Sequence, residues 1–264
     1  MPAIDIPHDI PDVFTESIPI INGKANFDMV LVPGDSDAGI APVYMSSHEV
    51  TWKMLRNWME GFEFKTASEG AKLIEGGLHP SIVFGTPSAI IQINDERNPA
   101  MGMTRRTATA YAKWVCDKTG RSYRLPTREE WKHALRAGGG VPDNVDAFAW
   151  FQENSPIDQF RDVPMTSPAG SKSPNSLGIY DMLGGVAEWV TNTGEQRIVV
   201  GGSIFTPRDE LNENWQAVEE IEVWAASHPQ LPYSQYWYND FYVTGIRLVC
   251  EPASVAANPP KEAD

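Results

Sequence analysis

Glycine and proline together supply 42 of the 264 residues, 21 of each. That is about a sixth of the chain, against a usual ~12%, and so many turn-forming residues leave little room for long regular elements. Three stretches escape the punctuation with helical spacing. Thr51 is a suitable N-cap for a segment whose Met54, Leu55, Trp58 and Phe62 recur every three or four residues. A second helix fits 107–118, with Ala108, Tyr111, Ala112 and Val115 on one stripe, Lys118 in its last turn and Gly120 as a left-handed stop. The third opens on Thr127-Arg128-Glu129-Glu130, a capping box, and runs through Trp131 and Leu135 into Gly138-Gly139-Gly140. Strand signals are short and far apart: Met29–Val32, Arg197–Val200 and Gly245–Cys250, the last with Ile246, Leu248 and Cys250 on one face. Without βαβ alternation or an internal repeat, the expected class is α+β with few helices and small antiparallel sheets.

Charge narrows the function. With 21 Lys+Arg against 35 Asp+Glu the formal net charge is −14, unsuited to nucleic acid or to anionic membrane surfaces. No run approaches the ~18 apolar residues of a membrane helix, and Met1-Pro2-Ala3-Ile4-Asp5 lacks the basic and apolar parts of an export leader, so a cytoplasmic location is expected. The five histidines are too dispersed for a zinc or iron pair on one helix, and no phosphate loop, nucleophile elbow or dinucleotide fingerprint is present.

The run Pro168-Ala169-Gly170-Ser171-Lys172-Ser173-Pro174-Asn175-Ser176-Leu177-Gly178-Ile179-Tyr180-Asp181-Met182-Leu183-Gly184-Gly185-Val186-Ala187-Glu188-Trp189-Val190 is too particular for a generic loop. It resembles the signature of the formylglycine-generating-enzyme, or sulfatase-modifying-factor, domain. Tyr111-Ala112-Lys113-Trp114, the stretch from Tyr123 to Trp131, Val200-Gly201-Gly202-Ser203 and Gly245-Ile246-Arg247-Leu248 resemble further motifs of that family in the same order. The resemblance implies a loop-rich, C-type-lectin-like α+β domain at 27–252, preceded by an extended segment at 1–26 and followed by a mobile tail at 253–264. Trp131 and Trp189 should be buried in its core.

Fold and activity are separable. Oxidase members of the family use two cysteines just after Gly-Gly-Ser to bind copper(I), whereas here that stretch reads Ser203-Ile204-Phe205-Thr206-Pro207-Arg208-Asp209-Glu210. A hydroxyl does not replace a soft thiolate, so copper is disfavoured. The sulfoxide-forming branch adds a helical iron-binding domain that is absent from the sequence. The resemblance also implies calcium, with Asn154 and Glu188 as candidate ligands; for Glu188 the plainer alternative is a hydrogen-bonded structural carboxylate. Cys116 and Cys250, the only cysteines, are either buried free thiols or a disulfide shifted from the one that eukaryotic members form, with Cα atoms within about 7 Å. A bridge would favour an exported or surface-assembled protein.

The segment 206–244 departs most from the family. It combines an acidic stretch with the aromatic set Tyr233, Tyr236, Trp237, Tyr238, Phe241 and Tyr242. Either these side chains, with Ser203 and Arg247, form a binding surface for a protein, peptide or glycan, as in C-type-lectin-like relatives, or Trp215, Val218, Ile221 and Trp224 form a helical stripe and the aromatics cap the core. The expected function is a non-catalytic binding or accessory domain. The alternatives are an oxidoreductase of the same superfamily with an unassigned substrate, and a structural subunit of a larger assembly.

Overall fold

The structure, a computed structural model, describes residues 10–20, 23–60, 95–158, 162–191, 193–224 and 243–260. In chain order the strands are β1 (Val13–Ile20), β2 (Gly23–Val32), β3 (Val43–Ser46), β4 (Tyr123–Arg124), β5 (Ile157–Asp158), β6 (Val163–Pro164), β7 (Ala187–Val190), β8 (Ile198–Val200), β9 (Gln216–Val218), β10 (Thr244–Gly245) and β11 (Val249–Cys250). The helices are α1 (Trp52–Glu60), α2 (Arg105–Thr119), α3 (Arg128–Ala137), α4 (Ile221–Trp224) and α5 (Pro252–Ala257). One sheet runs β1-β2-β3-β11-β4, a second β10-β7-β8-β9, and β5 pairs with β6. All pairs are antiparallel except β10 with β7. Among the described residues no helix is long and apolar enough to cross a membrane.

The helices form where their caps lie. Thr51 accepts the Leu55 N–H at 2.9 Å through its carbonyl. Thr104 caps α2 through its hydroxyl, which accepts the Thr107 N–H at 3.3 Å, and Gly120 ends the helix at φ 71°. At α3 the capping box is complete: Glu130 N–H donates to Thr127 Oγ1 at 3.1 Å, and Thr127 N–H donates to Glu130 Oε2 at 2.7 Å. Trp131 and Trp189 are fully buried.

Four expectations need revision. β1 pairs with β2 along its whole length, so the hairpin spans the boundary expected at residue 26 and sinks Phe14, Glu16 and Ile18 into the core. The tail opens as α5 with Val255 buried, and its Asn258 carbonyl accepts a hydrogen bond from Arg121 Nε at 2.7 Å. Residues 216–218 are a strand, because their backbone completes the edge of β8, so the helical stripe from Trp215 to Trp224 does not form. The single strand expected at 245–250 is two: Thr244–Gly245 belongs to the second sheet and Val249–Cys250 to the first. The crossing residues between them are buried on every side, so alternation carries no solvent-facing signal there. Arg247 sits at that crossing.

Candidate functional site

Crossing between two sheets places Arg247 where no water reaches it, and its guanidinium is matched entirely by protein. Nε lies 2.9 Å from both carboxylate oxygens of Glu188, and Nη2 is 2.7 Å from Glu188 Oε1. Nη1 donates to the Ser46 carbonyl at 2.8 Å, and Nη2 to the carbonyls of Tyr180 at 2.8 Å and Asp181 at 3.3 Å. Glu188, on β7, also accepts the Trp131 indole N–H at 2.7 Å. Burial opposes the charge on Arg247, and the attraction of Glu188, with Glu49 and Asp181 behind it, outweighs that, so the guanidinium is held above its ordinary range. This group joins three distant motifs: β7, the crossing segment and α3.

Behind it lie two carboxyl groups without such matching. Glu49 precedes α1 in a backbone fixed by Val50 N–H to the Ile246 carbonyl and Ala100 N–H to the Val50 carbonyl, both at 2.8 Å. Its side chain is fully buried and neither carboxylate oxygen has a hydrogen-bond partner. Asp181 accepts the Gly170 N–H through Oδ2 at 2.6 Å, but Oδ1 has no partner. Its backbone lies in the left-handed region at φ 53°, which Asp tolerates better than most residues. Burial, then the charge of Asp181, hold Glu49 well above the usual carboxylate range. Burial likewise raises Asp181, and burial lowers the neighbouring His48 imidazole. Asp181 lines a cavity of about 340 Å³ whose walls include Phe148, Ile179, Met182 and Leu183. Sequence reasoning placed Asp181 in the signature without giving it a role, and it missed Glu49, which carries no local pattern.

The calcium pair inferred from the family does not fit. Asn154 spends its amide closing its own turn: Oδ1 accepts the Phe151 N–H at 2.9 Å and Nδ2 donates to the Ala149 carbonyl at 3.0 Å. Glu188 is saturated by Arg247 and Trp131. Among the described residues no group of three or more His, Cys, Asp or Glu side chains is placed to hold a metal ion. Both candidate ligands are structural hydrogen-bonding groups.

Ser203 is almost buried and belongs to a turn closed through oxygen. Its N–H donates to Thr206 Oγ1 at 2.9 Å, its carbonyl accepts the Thr206 N–H at 2.9 Å, and its hydroxyl accepts the Phe205 N–H at 3.2 Å. Arg247 and Glu188 are paired with each other rather than directed at a ligand. The aromatic residues Tyr233, Tyr236, Trp237, Tyr238, Phe241 and Tyr242 lie outside the described residues.

Both cysteines are free, so the structure contains no Cys116 to Cys250 bridge. They nevertheless flank one residue. The Cys116 thiol is 3.1 Å from both the backbone nitrogen and the carbonyl oxygen of Tyr123, and β11 pairs Cys250 with that same Tyr123. Beside them the Tyr123 hydroxyl donates to Glu16 at 2.6 Å, and Glu16 forms a buried ion pair with Arg121 at 2.5 Å. Burial pushes the Cys250 thiol up to about 12, so it carries almost no thiolate at neutral pH. In the folded protein iodoacetamide should therefore modify the partly exposed Cys116 first, with Cys250 labelled only after denaturation. Mass-mapped labelling of Cys250 in the native state would contradict this.

Comparison with known proteins gives the fold its relatives. Over 110 residues the chain is 31% identical to the formylglycine-generating enzyme of Mycobacterium tuberculosis, a match covering 36% of this chain and 33% of that protein. It is 30% identical over 133 residues to the inactive C-alpha-formylglycine-generating enzyme 2 of Mus musculus, covering 42% and 39% respectively. The chain thus spans a third to two fifths of these curated relatives. Among solved structures, Treponema denticola variable protein 1 superposes with a TM-score of 0.61 at 18% identity, over 92% of this chain and all of that one. Since residues 14–227 match the family model of the sulfatase-modifying factor enzyme 1-like domain, the chain belongs to that family.

Proposed function

We propose that this chain is a binding or accessory member of the family that does not form formylglycine, and that it presents its 206–244 region to a protein, peptide or glycan partner. The observation that carries the reading is the turn after Gly201-Gly202. Its donors and acceptors are hydroxyls and amides that satisfy one another, and the stretch from Ser203 to Val249 contains no sulfur ligand. Copper(I) requires soft ligands. The two thiols of the chain stand at the α2, β4 and β11 junction, one of them buried in its protonated form. The mouse relative whose name describes it as inactive shows that the domain persists in a curated protein without that activity.

On this reading the exposed carboxylates of the described part of the region would favour a partner with positively charged side chains. Asp209, Glu210, Glu220 and Glu222 are exposed, and Val223 beside them is 53% exposed. Charge complementarity of this kind sets specificity and association rate more than affinity. The test of the non-oxidase reading is incubation of the full chain with copper(I), oxygen and a Cys-x-Pro-x-Arg peptide. We expect no oxygen consumption and an unchanged peptide mass. Loss of the thiol with gain of an aldehyde, read by mass spectrometry and aldehyde-specific labelling, would overturn it.

A further inference from the structure

We propose that Glu49 and Asp181 form a buried carboxyl dyad that holds one proton at neutral pH, with the Glu49 carboxylic acid donating to Asp181 Oδ1. The inference is independent of the partner or chemistry of the 206–244 region.

Three unpartnered atoms define the problem: Glu49 Oε1, Glu49 Oε2 and Asp181 Oδ1. The side chains converge on Gly185, where a Cβ would lie 2.8 Å from Glu49 Oε1 and 4.0 Å from the Asp181 Cβ. A buried carboxylate without a donor is costly, and such groups normally take up a proton or find a partner. The donors of the buried ion-pair group are committed elsewhere. Arg247 donates to Glu188 and to the carbonyls of Ser46, Tyr180 and Asp181, and the Trp131 N–H is held by Glu188. One nitrogen of the His48 ring, Nδ1, is engaged with the Glu49 carbonyl at 2.7 Å. A proton is the smallest addition that partners two of the three atoms, since it turns one Glu49 oxygen into a donor and supplies Asp181 Oδ1 with a charge-assisted bond; the other Glu49 oxygen then belongs to a neutral acid, for which an unmade bond costs less than for a carboxylate.

The charges facing the pair are consistent with one proton rather than two. Glu49 feels Asp181, Arg247 and Glu188; Asp181 feels Arg247, Glu188 and Lys172. The Gly170 N–H at 2.6 Å favours the ionised form of Asp181, whereas burial and the charge of Asp181 raise Glu49 well above the usual carboxylate range despite a bond from its own backbone N–H. The asymmetry puts the proton on Glu49.

A pH-sensitive lock follows. A carboxyl group whose folded value lies above its unfolded 4.5 contributes stability that is fully present below that value and is lost as pH rises towards the folded one. Over that window the folding constant of the wild type should fall by up to tenfold per pH unit on account of this proton. Infrared difference spectra of the full chain at neutral pH should contain the band of a protonated carboxylic acid, and Glu49→Gln should remove it together with that one-proton slope. Asp181→Asn, which supplies a neutral partner, should keep the acid band and shift its frequency. Calcium and chelator are run in parallel on the wild type. An absent acid band, an unchanged slope in Glu49→Gln, or a calcium-induced rise in melting temperature that is lost in Glu49→Gln would each overturn the dyad, the last by putting a cation where we place the proton.

Discussion

Arg247→Met should lower the stability of the chain by about 3–5 kcal/mol, the usual result of breaking one side of a buried ion pair. The substitution keeps much of the aliphatic volume and removes every donor. Glu188 then remains inaccessible with only the Trp131 N–H, and the carbonyls of Ser46 and Tyr180 lose their 2.8 Å partners. Since a domain of this kind is stable by about 5–15 kcal/mol, a large part of its margin disappears. The melting temperature should fall by roughly 10 °C, at ~2–4 °C per kcal/mol for a chain of this size. Arg247→Lys should be nearly as damaging, because an ammonium cannot reach the bidentate carboxylate and the carbonyls at once. Arg247→Met combined with Glu188→Leu should recover part of the loss by removing the stranded carboxyl group. A melting temperature for Arg247→Met within a degree or two of wild type would show that the crossing segment is held by packing alone.

That pair also shows where the sequence is readable. Glu188 and Arg247 each fall in a motif visible in the chain, but their partnership links positions 59 residues apart and depends on β10 and β11 joining different sheets. Caps are different. Thr127 and Glu130 interact within one turn, so the start of α3 follows from residue identity and spacing alone. The end of α2 at Gly120 is local in the same way. The extended register of β1 was hidden because its Val13-Phe14-Thr15-Glu16-Ser17-Ile18 pattern places a charged residue on the inner face. That residue, Glu16, becomes intelligible only with Arg121 and Tyr123 brought against it. The candidate metal residues failed for a related reason: Asn154 and Glu188 have the right oxygen chemistry, and hydrogen bonds in the folded chain have already claimed it.

Gly184→Ala should prevent stable folding or cost about 2–5 kcal/mol or more. Two penalties act together. Gly184 sits at φ 70°, where an L side chain costs roughly 1–2 kcal/mol. In addition, a Cβ there would lie 2.0 Å from the carbonyl oxygen of Trp150 and 2.9 Å from its carbonyl carbon. Those are backbone atoms in a bridge with Gly184, so rotating a side chain gives no relief. The Trp150 carbonyl accepts the Gly185 N–H at 2.8 Å, and the Gly184 N–H donates to the Gly201 carbonyl at the same distance. Moving Trp150 away therefore breaks the bond that sets Gly185 against Glu49, and overpacking of this kind typically adds about 1–3 kcal/mol or more. Gly139→Ala and Gly140→Ala supply the control. Both glycines have positive φ, at 107° and 75°, but a Cβ at either meets nothing within 4 Å. They should show the conformational penalty alone, about 1–2 kcal/mol. Chemical denaturation of the three variants separates the contributions: equal losses at 184, 139 and 140 would mean that the close approach to Trp150 carries no energy of its own, and that the turn into β7 tolerates a side chain that its geometry excludes.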